Sequence, residues 1–137
     1  MIVLDTSAVL AIFRQEADAA HFARRIASDD EPVMSAANVL ETSIVLRGLK
    51  RVLPARAERW LDDFIATAGI RIESVTPEHA RAARLAHVRF GKGTGHAAAL
   101  NYGDCFAYAL AKTLDAPLLC KGNDFAETDI VVVPSGP

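Results

Sequence analysis

Hydrophobic and polar positions along the chain switch between two periods, and the switches lay out a succession of strands and helices. Residues 1–4 form an uninterrupted apolar run, short and bounded, as expected for a strand buried on both faces of a parallel sheet. Asp5, Thr6 and Ser7 stop it with residue types that begin helices by accepting unpaired backbone N–H bonds. Residues 7–15 and 18–28 carry helical apolar spacing, with Ala8, Ile12, Phe22 and Ile26 turned inward. After the break at Asp29-Asp30-Glu31-Pro32, residues 33–34 read as a second strand, and Ser35 is a suitable N-cap for a long helix over about 36–49. Pro54 opens a helix to about 67, with Trp60, Leu61 and Phe64 on one face and Gly69 as its stop. Residues 70–75 alternate apolar and polar as a half-buried edge strand does. Thr76-Pro77 starts a helix to about Phe90.

A glycine-rich stretch, Gly91 to His96, then reads as a flexible connection, and 97–100 as a short helical turn. A helix follows over about 103–114. Residues 117–120 and 130–133 are expected as the fourth and fifth strands, and 134–137 as a tail. Alternation of strands and helices, with no repeat and no linker, predicts one α/β domain over 1–137 with a mostly parallel five-stranded sheet.

Size and charge narrow the function classes. At 137 residues the chain can bury a substantial core, and 15 Lys and Arg against 17 Asp and Glu give a net charge of −2. The total does not mark a strongly basic nucleic-acid binder, though a local basic patch is compatible with it. No run approaches the ~18 apolar residues of a membrane span, and no basic region precedes the opening apolar run. A cytoplasmic protein is expected, with Cys105 and Cys120 as free buried thiols.

The candidate chemistry is acidic. In a parallel α/β sheet, residues just after a strand and residues in the first turns of the next helix share one edge. Asp5 directly follows the first strand. Glu41 lies in the second turn of the helix capped by Ser35, Asp104 in the first turn of the helix leading to the fourth strand, and Asp124 a few residues beyond that strand. Each has an ordinary reading: Asp5 and Asp104 as N-caps, Glu41 as a surface residue, Asp124 as a turn residue beside Asn123. Two of them have apolar surroundings, however. Glu41 is flanked a turn away by Ala37, Ile44 and Val45, and Asp104 shares a helical side with Ala107, Tyr108 and Ala111. Carboxylates rarely turn toward a core unless paired or metal-bound, and clustered ones raise one another's pKa. A divalent cation reverses that cost, and hard oxygen donors favour Mg²⁺ or Mn²⁺. No Cys/His spacing suits zinc.

At these residues the chain resembles the PIN-domain ribonucleases, and within them the VapC toxins of bacterial toxin–antitoxin pairs. The resemblance is carried by Ile2-Val3-Leu4-Asp5-Thr6-Ser7-Ala8-Val9-Leu10, by Asn38-Val39-Leu40-Glu41, by Leu100-Asn101-Tyr102-Gly103-Asp104-Cys105-Phe106-Ala107-Tyr108-Ala109, and by Leu118-Leu119-Cys120-Lys121-Gly122-Asn123-Asp124-Phe125. It implies a three-layer α/β/α sandwich, endonucleolytic cleavage of RNA at an acidic Mg²⁺ site, and a VapB-type antitoxin whose tail covers that site, in a homodimer or a toxin–antitoxin hetero-oligomer. Asp5 and Asp104 match the principal metal ligands and Glu41 the intervening acid. The fourth position falls on Asn123 or Asp124, and Thr6 and Ser7 match positions near the metal.

An acidic site needs basic groups around it to hold RNA. Arg14, Arg47, Lys50, Arg51, Lys92 and Lys121 are candidates, with Lys121 best placed by sequence; each is also readable as a solvated surface charge. His96 is expected to be a bystander. The competing enzyme class is a haloacid-dehalogenase-like phosphatase, which wants a second acid two residues after Asp5, where Ser7 stands. A phosphate loop does not fit the Gly91 to His96 stretch. A non-catalytic RNA scaffold and a receiver-type phosphoacceptor are further alternatives, the latter without a second acid beside Asp5.

Overall fold

The structure, a computed structural model, describes residues 1–134; the remainder of the expected tail, 135–137, lies outside the described residues. Four strands form one parallel sheet: β1 (Ile2–Leu4), β2 (Pro32–Ser35), β3 (Arg71–Glu73) and β4 (Leu118–Leu119), in the order β3-β2-β1-β4. Ile2 stands opposite Pro32, Val3 opposite both Val33 and Leu118, and Ser35 opposite Glu73. Six helices connect them: α1 (Thr6–Phe13), α2 (Ala19–Ala27), α3 (Ala36–Arg47), α4 (Pro54–Ala68), α5 (Pro77–Phe90) and α6 (Tyr102–Leu114).

Strands β1, β2 and β4 are short but buried on both faces, so successive side chains of one strand serve two cores, whereas the edge strand β3 is mostly exposed. Val3, Val33 and Leu118 pack with Ala83, Ala86 and Phe90 of α5 and with the α6 residues Ala107, Tyr108 and Leu110. Ile2, Leu4, Met34 and Leu119 pack on the other face with Val9 of α1, Phe22 and Ile26 of α2, Leu46 of α3 and Leu61 of α4. This is the expected three-layer sandwich. Trp60 is taken up within it, edge-on to Phe13 (4.9 Å) and stacked on Phe64 (5.0 Å).

The six longer helices expected are all present, with ends shifted by one or two residues, but the short helical turn expected at 97–100 is a plain turn with Ala99 at φ 48°, ended by the bridge at Leu100. The fifth strand is not formed as such. Val132 makes an isolated parallel bridge to Leu118, held by Leu118 N–H to the Val131 carbonyl and Val133 N–H to the Leu118 carbonyl, each 2.9 Å. The neighbouring β4 has only two residues, and Pro134 has no N–H to extend the ladder, so the sheet has four strands and not five. The Gly91 to His96 stretch is also less loose than its glycines suggest. Gly91 bridges Leu100, and Lys92 N–H donates to the Leu100 carbonyl at 2.7 Å, closing the whole segment into an ordered loop. His96 serves inside that loop: its Nδ1 accepts from Ala98 N–H (3.0 Å) and its ring meets Phe90 edge-on.

The topology fixes where a ligand can sit. From β1 the chain steps outward to β2 and β3, then returns to place β4 on the other side of β1. The order therefore reverses around β1, and the crevice at such a switch point opens at the carboxyl ends of the strands. Asp5 is the first residue beyond that end of β1.

Candidate active site

Asp5 is both the end of β1 and the N-cap of α1. Its Oδ2 accepts from the Ser7 N–H (3.0 Å) and from the Ser7 hydroxyl (2.6 Å), while its Oδ1 is buried with no hydrogen-bond partner. The residue is 4 % exposed. Burial pushes its pKa up to about 6, against the two Ser7 bonds, and the charges of Asp104 and Glu41 push the same way.

Asp104 enters from α6 through a capping box. Asn101 Oδ1 accepts from the Asp104 N–H (2.9 Å), and Asp104 Oδ2 accepts from the Asn101 N–H (3.0 Å). As at Asp5, one carboxylate oxygen is occupied by backbone and the other is left over. Burial raises the Asp104 pKa, and Glu41 and Asp124 add to the rise.

Glu41 comes from α3, which begins at Ser35, whose Oγ accepts from Ala37 N–H at 3.3 Å. One oxygen, Oε1, accepts from the Thr6 hydroxyl (2.6 Å) and from Asn38 Nδ2 (3.1 Å). Asn38 Nδ2 also donates to the Gly103 carbonyl (2.9 Å), tying α3 to the first turn of α6. The Glu41 carboxylate lies so close over Gly103 that a Cβ there would collide with it. Thr42 completes this seam, its hydroxyl between Thr6 Oγ1 (3.1 Å) and the Asn38 carbonyl (2.7 Å).

Asp124 is exposed, at the start of the short 3₁₀ turn Phe125–Glu127, and its side chain caps nothing. Its charge acts on Asp104 and, with those of Asp5 and Asp104, on the Cys120 thiol, which is pushed up to about 12 chiefly by burial. Glu41 and Asp104 thus lie close enough to Asp5 for their charges to act on it, and Asp124 acts on Asp104. Among the described residues, no three of His, Cys, Asp and Glu are grouped tightly enough to hold a metal ion by themselves.

Of the other expected residues, Thr6 holds Glu41 and Ser7 holds Asp5. Asn123 is exposed beside Asp124. Lys121 contributes its backbone, whose N–H donates to Ser7 Oγ (2.9 Å), while its ammonium is paired with Glu16 (2.7 Å) and Asp18 (3.3 Å). Arg47 pairs with Glu58 on α4 (3.3 Å), and Arg14, Lys50, Arg51 and Lys92 are exposed. The roles of Asn38, Thr42, Asn101 and Gly103 were not read from the sequence. The available signal was three polar residues, Asn38, Glu41 and Thr42, at helical i, i+3, i+4 spacing in a segment whose other residues up to Leu46 are apolar except Ser43.

Comparison with known proteins identifies the family. The PIN domain family model matches residues 2–131. Ribonuclease VapC28 of Mycobacterium tuberculosis is 46 % identical over 129 residues, covering 94 % of this chain and 95 % of the relative. Among solved structures, Mycobacterium tuberculosis VapC20, described as a Sarcin-Ricin loop cleaving toxin, superposes with a TM-score of 0.75 at 21 % identity, over 97 % of this chain and 98 % of that one. VapBC2 from Rickettsia felis, bound to a DNA fragment from its promoter, gives 0.73 at 16 % identity over 96 % of each chain. With the acids at the switch point, the α/β/α layers and a family match across nearly its whole length, the chain belongs to the PIN-domain family, among the VapC ribonucleases.

Proposed function

We propose that the chain is a metal-dependent endoribonuclease, the toxin of a VapBC-type pair, acting in the cytoplasm. The observation that carries the metal reading is Asp5 Oδ1, a buried carboxylate oxygen with no partner on a residue that feels the charges of Asp104 and Glu41. Such an atom is costly unless a cation completes it. The donors are all hard oxygens, which fits a divalent ion of the Mg²⁺ or Mn²⁺ kind. Asp5 and Asp104, each with one oxygen uncommitted, would hold it.

When bound, the ion supplies positive charge toward the scissile phosphate and acidifies water at the site. The chain's own residues do the rest. Ser7 and the Asn101 backbone fix the two ligand carboxylates. Thr6 and Asn38 both bind Oε1 of Glu41, leaving Oε2 to accept a hydrogen bond from the attacking water and aim it in line with the leaving oxygen. Asp124 completes the rim. Hydrolysis leaves a 5′-phosphate and a 3′-hydroxyl.

The antitoxin reading has its own support. Leu40, Ile44 and Val45 of α3 and Tyr102 and Phe106 of α6 line an apolar groove of about 220 Å³ that includes Glu41. Leu40, Ile44 and Tyr102 are more than half exposed. An antitoxin tail laid there would bury that surface and reach the acids.

The test is cleavage of RNA by the purified protein. Cleavage is expected with Mg²⁺ or Mn²⁺, should stop in EDTA, and should be abolished in folded Asp5→Asn and Asp104→Asn. Persistent cleavage in metal-free buffer removes the metal-dependent reading; no cleavage by the wild type with either metal removes the nuclease reading.

A further inference from the structure

Thr42 stands where a valine would fill the same space. It lies inside α3 with no exposed surface, as does Asn38 one helical turn before it. Burying a hydroxyl costs free energy that a methyl of the same size does not, so what threonine adds here is hydrogen bonding alone.

That hydroxyl has two neighbours. One is local: the Asn38 carbonyl, 2.7 Å away. Threonines in helices often close this bond, and by itself it says nothing of function. The other is the Thr6 hydroxyl, 3.1 Å away on α1 and 36 residues distant in the chain. Nothing in the formation of α3 calls for that contact.

Thr6 has a single hydrogen to give. Apart from Thr42, two acceptors lie within its reach: Glu41 Oε1 at 2.6 Å and the Asn38 carbonyl at 3.3 Å. The Thr42 hydroxyl steers that hydrogen to Glu41 in either of its own orientations. Turned to the Asn38 carbonyl, it takes the lone pair that the helix bond leaves over, and so removes the alternative open to Thr6. Turned to Thr6, it donates to an oxygen whose own hydrogen goes to the nearer, charged acceptor, and the two bonds strengthen each other.

Glu41 is thus held at Oε1 by Thr6 and Asn38, and Thr6 in turn by Thr42. None of these bonds involves Oε2, the oxygen left for the attacking water. We propose that Thr42 is a positioning residue for hydrolysis: through Thr6 it fixes the Glu41 carboxylate in the orientation that aims the water. The inference rests on the ribonuclease reading and extends it to a fully buried residue that reaches neither RNA nor solvent.

The experiment is steady-state cleavage of a single-stranded RNA with Mg²⁺ or Mn²⁺ by wild type, Thr42→Val and Thr42→Ser. Thr42→Val removes the hydroxyl and keeps the shape. Its kcat should fall by about three- to tenfold, what one hydrogen bond is worth, with KM unchanged. Thr42→Ser keeps the hydroxyl and should restore most of kcat. The rise in melting midpoint produced by the same metal should be equal in Thr42→Val and wild type, because Asp5 and Asp104 keep their own hydrogen bonds. Should the valine variant not fold, Thr42→Ala takes its place with the same expectation. An unchanged kcat in a folded variant without the hydroxyl overturns the proposal, as does a loss confined to KM. A serine variant as slow as the valine one, or a lost metal response, overturns it too. A wild type that cleaves no RNA with either metal overturns the ribonuclease reading itself, and the proposal with it.

Discussion

Gly103 has no side chain, and the candidate site depends on that. The Glu41 carboxylate occupies the space its Cβ would take, and the Gly103 carbonyl accepts from Asn38, which in turn donates to Glu41. Gly103→Ala should push Glu41 away from Thr6 and Asn38. Loss of an oriented water-binding carboxylate should lower RNA cleavage by about 100-fold or more. Stability should move little. Alanine gains about 1 kcal/mol of helix propensity over glycine, against a similar loss of hydrogen bonding. Cleavage assays with a parallel urea titration check both halves, and unaltered cleavage would show that Glu41 need not stand where it does. Asp5 was legible in the sequence because it caps a helix directly behind a strand, and Asp104 because it stands in the first turn of a recognisable helix. Asn38 and Thr42 were not, for a specific reason. On α3 these polar residues are fully buried while Leu40 and Ile44 are more than half exposed. That inversion of the usual amphipathic order defeats any reading that turns apolar residues inward.

At the scale of elements, apolar periodicity together with the capping residues Ser35, Pro54 and Thr76 located all six helices, although α3 does not pack an ordinary hydrophobic stripe. It overcounted strands, since four apolar residues at 130–133 reveal nothing of how short their neighbour β4 is. It also could not say where Lys121 points. The sequence places that residue beside the acids, but Glu16 and Asp18, brought up by the α1–α2 turn, take its ammonium. The aromatic stack of Phe13, Trp60 and Phe64 joins α1 to α4 on the face of the molecule given to packing. Trp60→Ala should therefore cost about 2–4 kcal/mol in chemical denaturation, given that the ring is partly exposed. RNA cleavage below the melting range should be unchanged. A stable Trp60→Ala protein with lost activity would place this stack in the functional surface instead.

For the whole molecule, one crevice at the switch point concentrates negative charge that folding does not neutralise. Folded Asp5 holds its proton up to about pH 6, whereas its ordinary value is 3.8. Between those values the folded state binds more protons than the unfolded one, so this group's contribution to stability falls as pH rises, by about 3 kcal/mol at most, and then levels off. Asp104 acts in the same direction. Asp129 acts in the opposite one: hydrogen bonds from Tyr108 and Lys112 hold it down at about 2, and its contribution is lost as pH falls toward that value. In EDTA, wild type should be destabilised relative to Asp5→Asn as pH rises from 4 to 7, and the gap should close below pH 4. Melting curves across that range check it, and a gap independent of pH would mean that the Asp5 proton is not what the substitution changes.

The most direct measurement is the thermal midpoint at pH 7 with EDTA and with millimolar Mg²⁺ or Mn²⁺, for wild type and Asp5→Asn. An ion that binds only the folded state and relieves the acids should raise the wild-type midpoint by about 3–8 °C, corresponding to about 1–3 kcal/mol, and leave Asp5→Asn unmoved. Equal shifts in both proteins, or none in the wild type, would contradict the account.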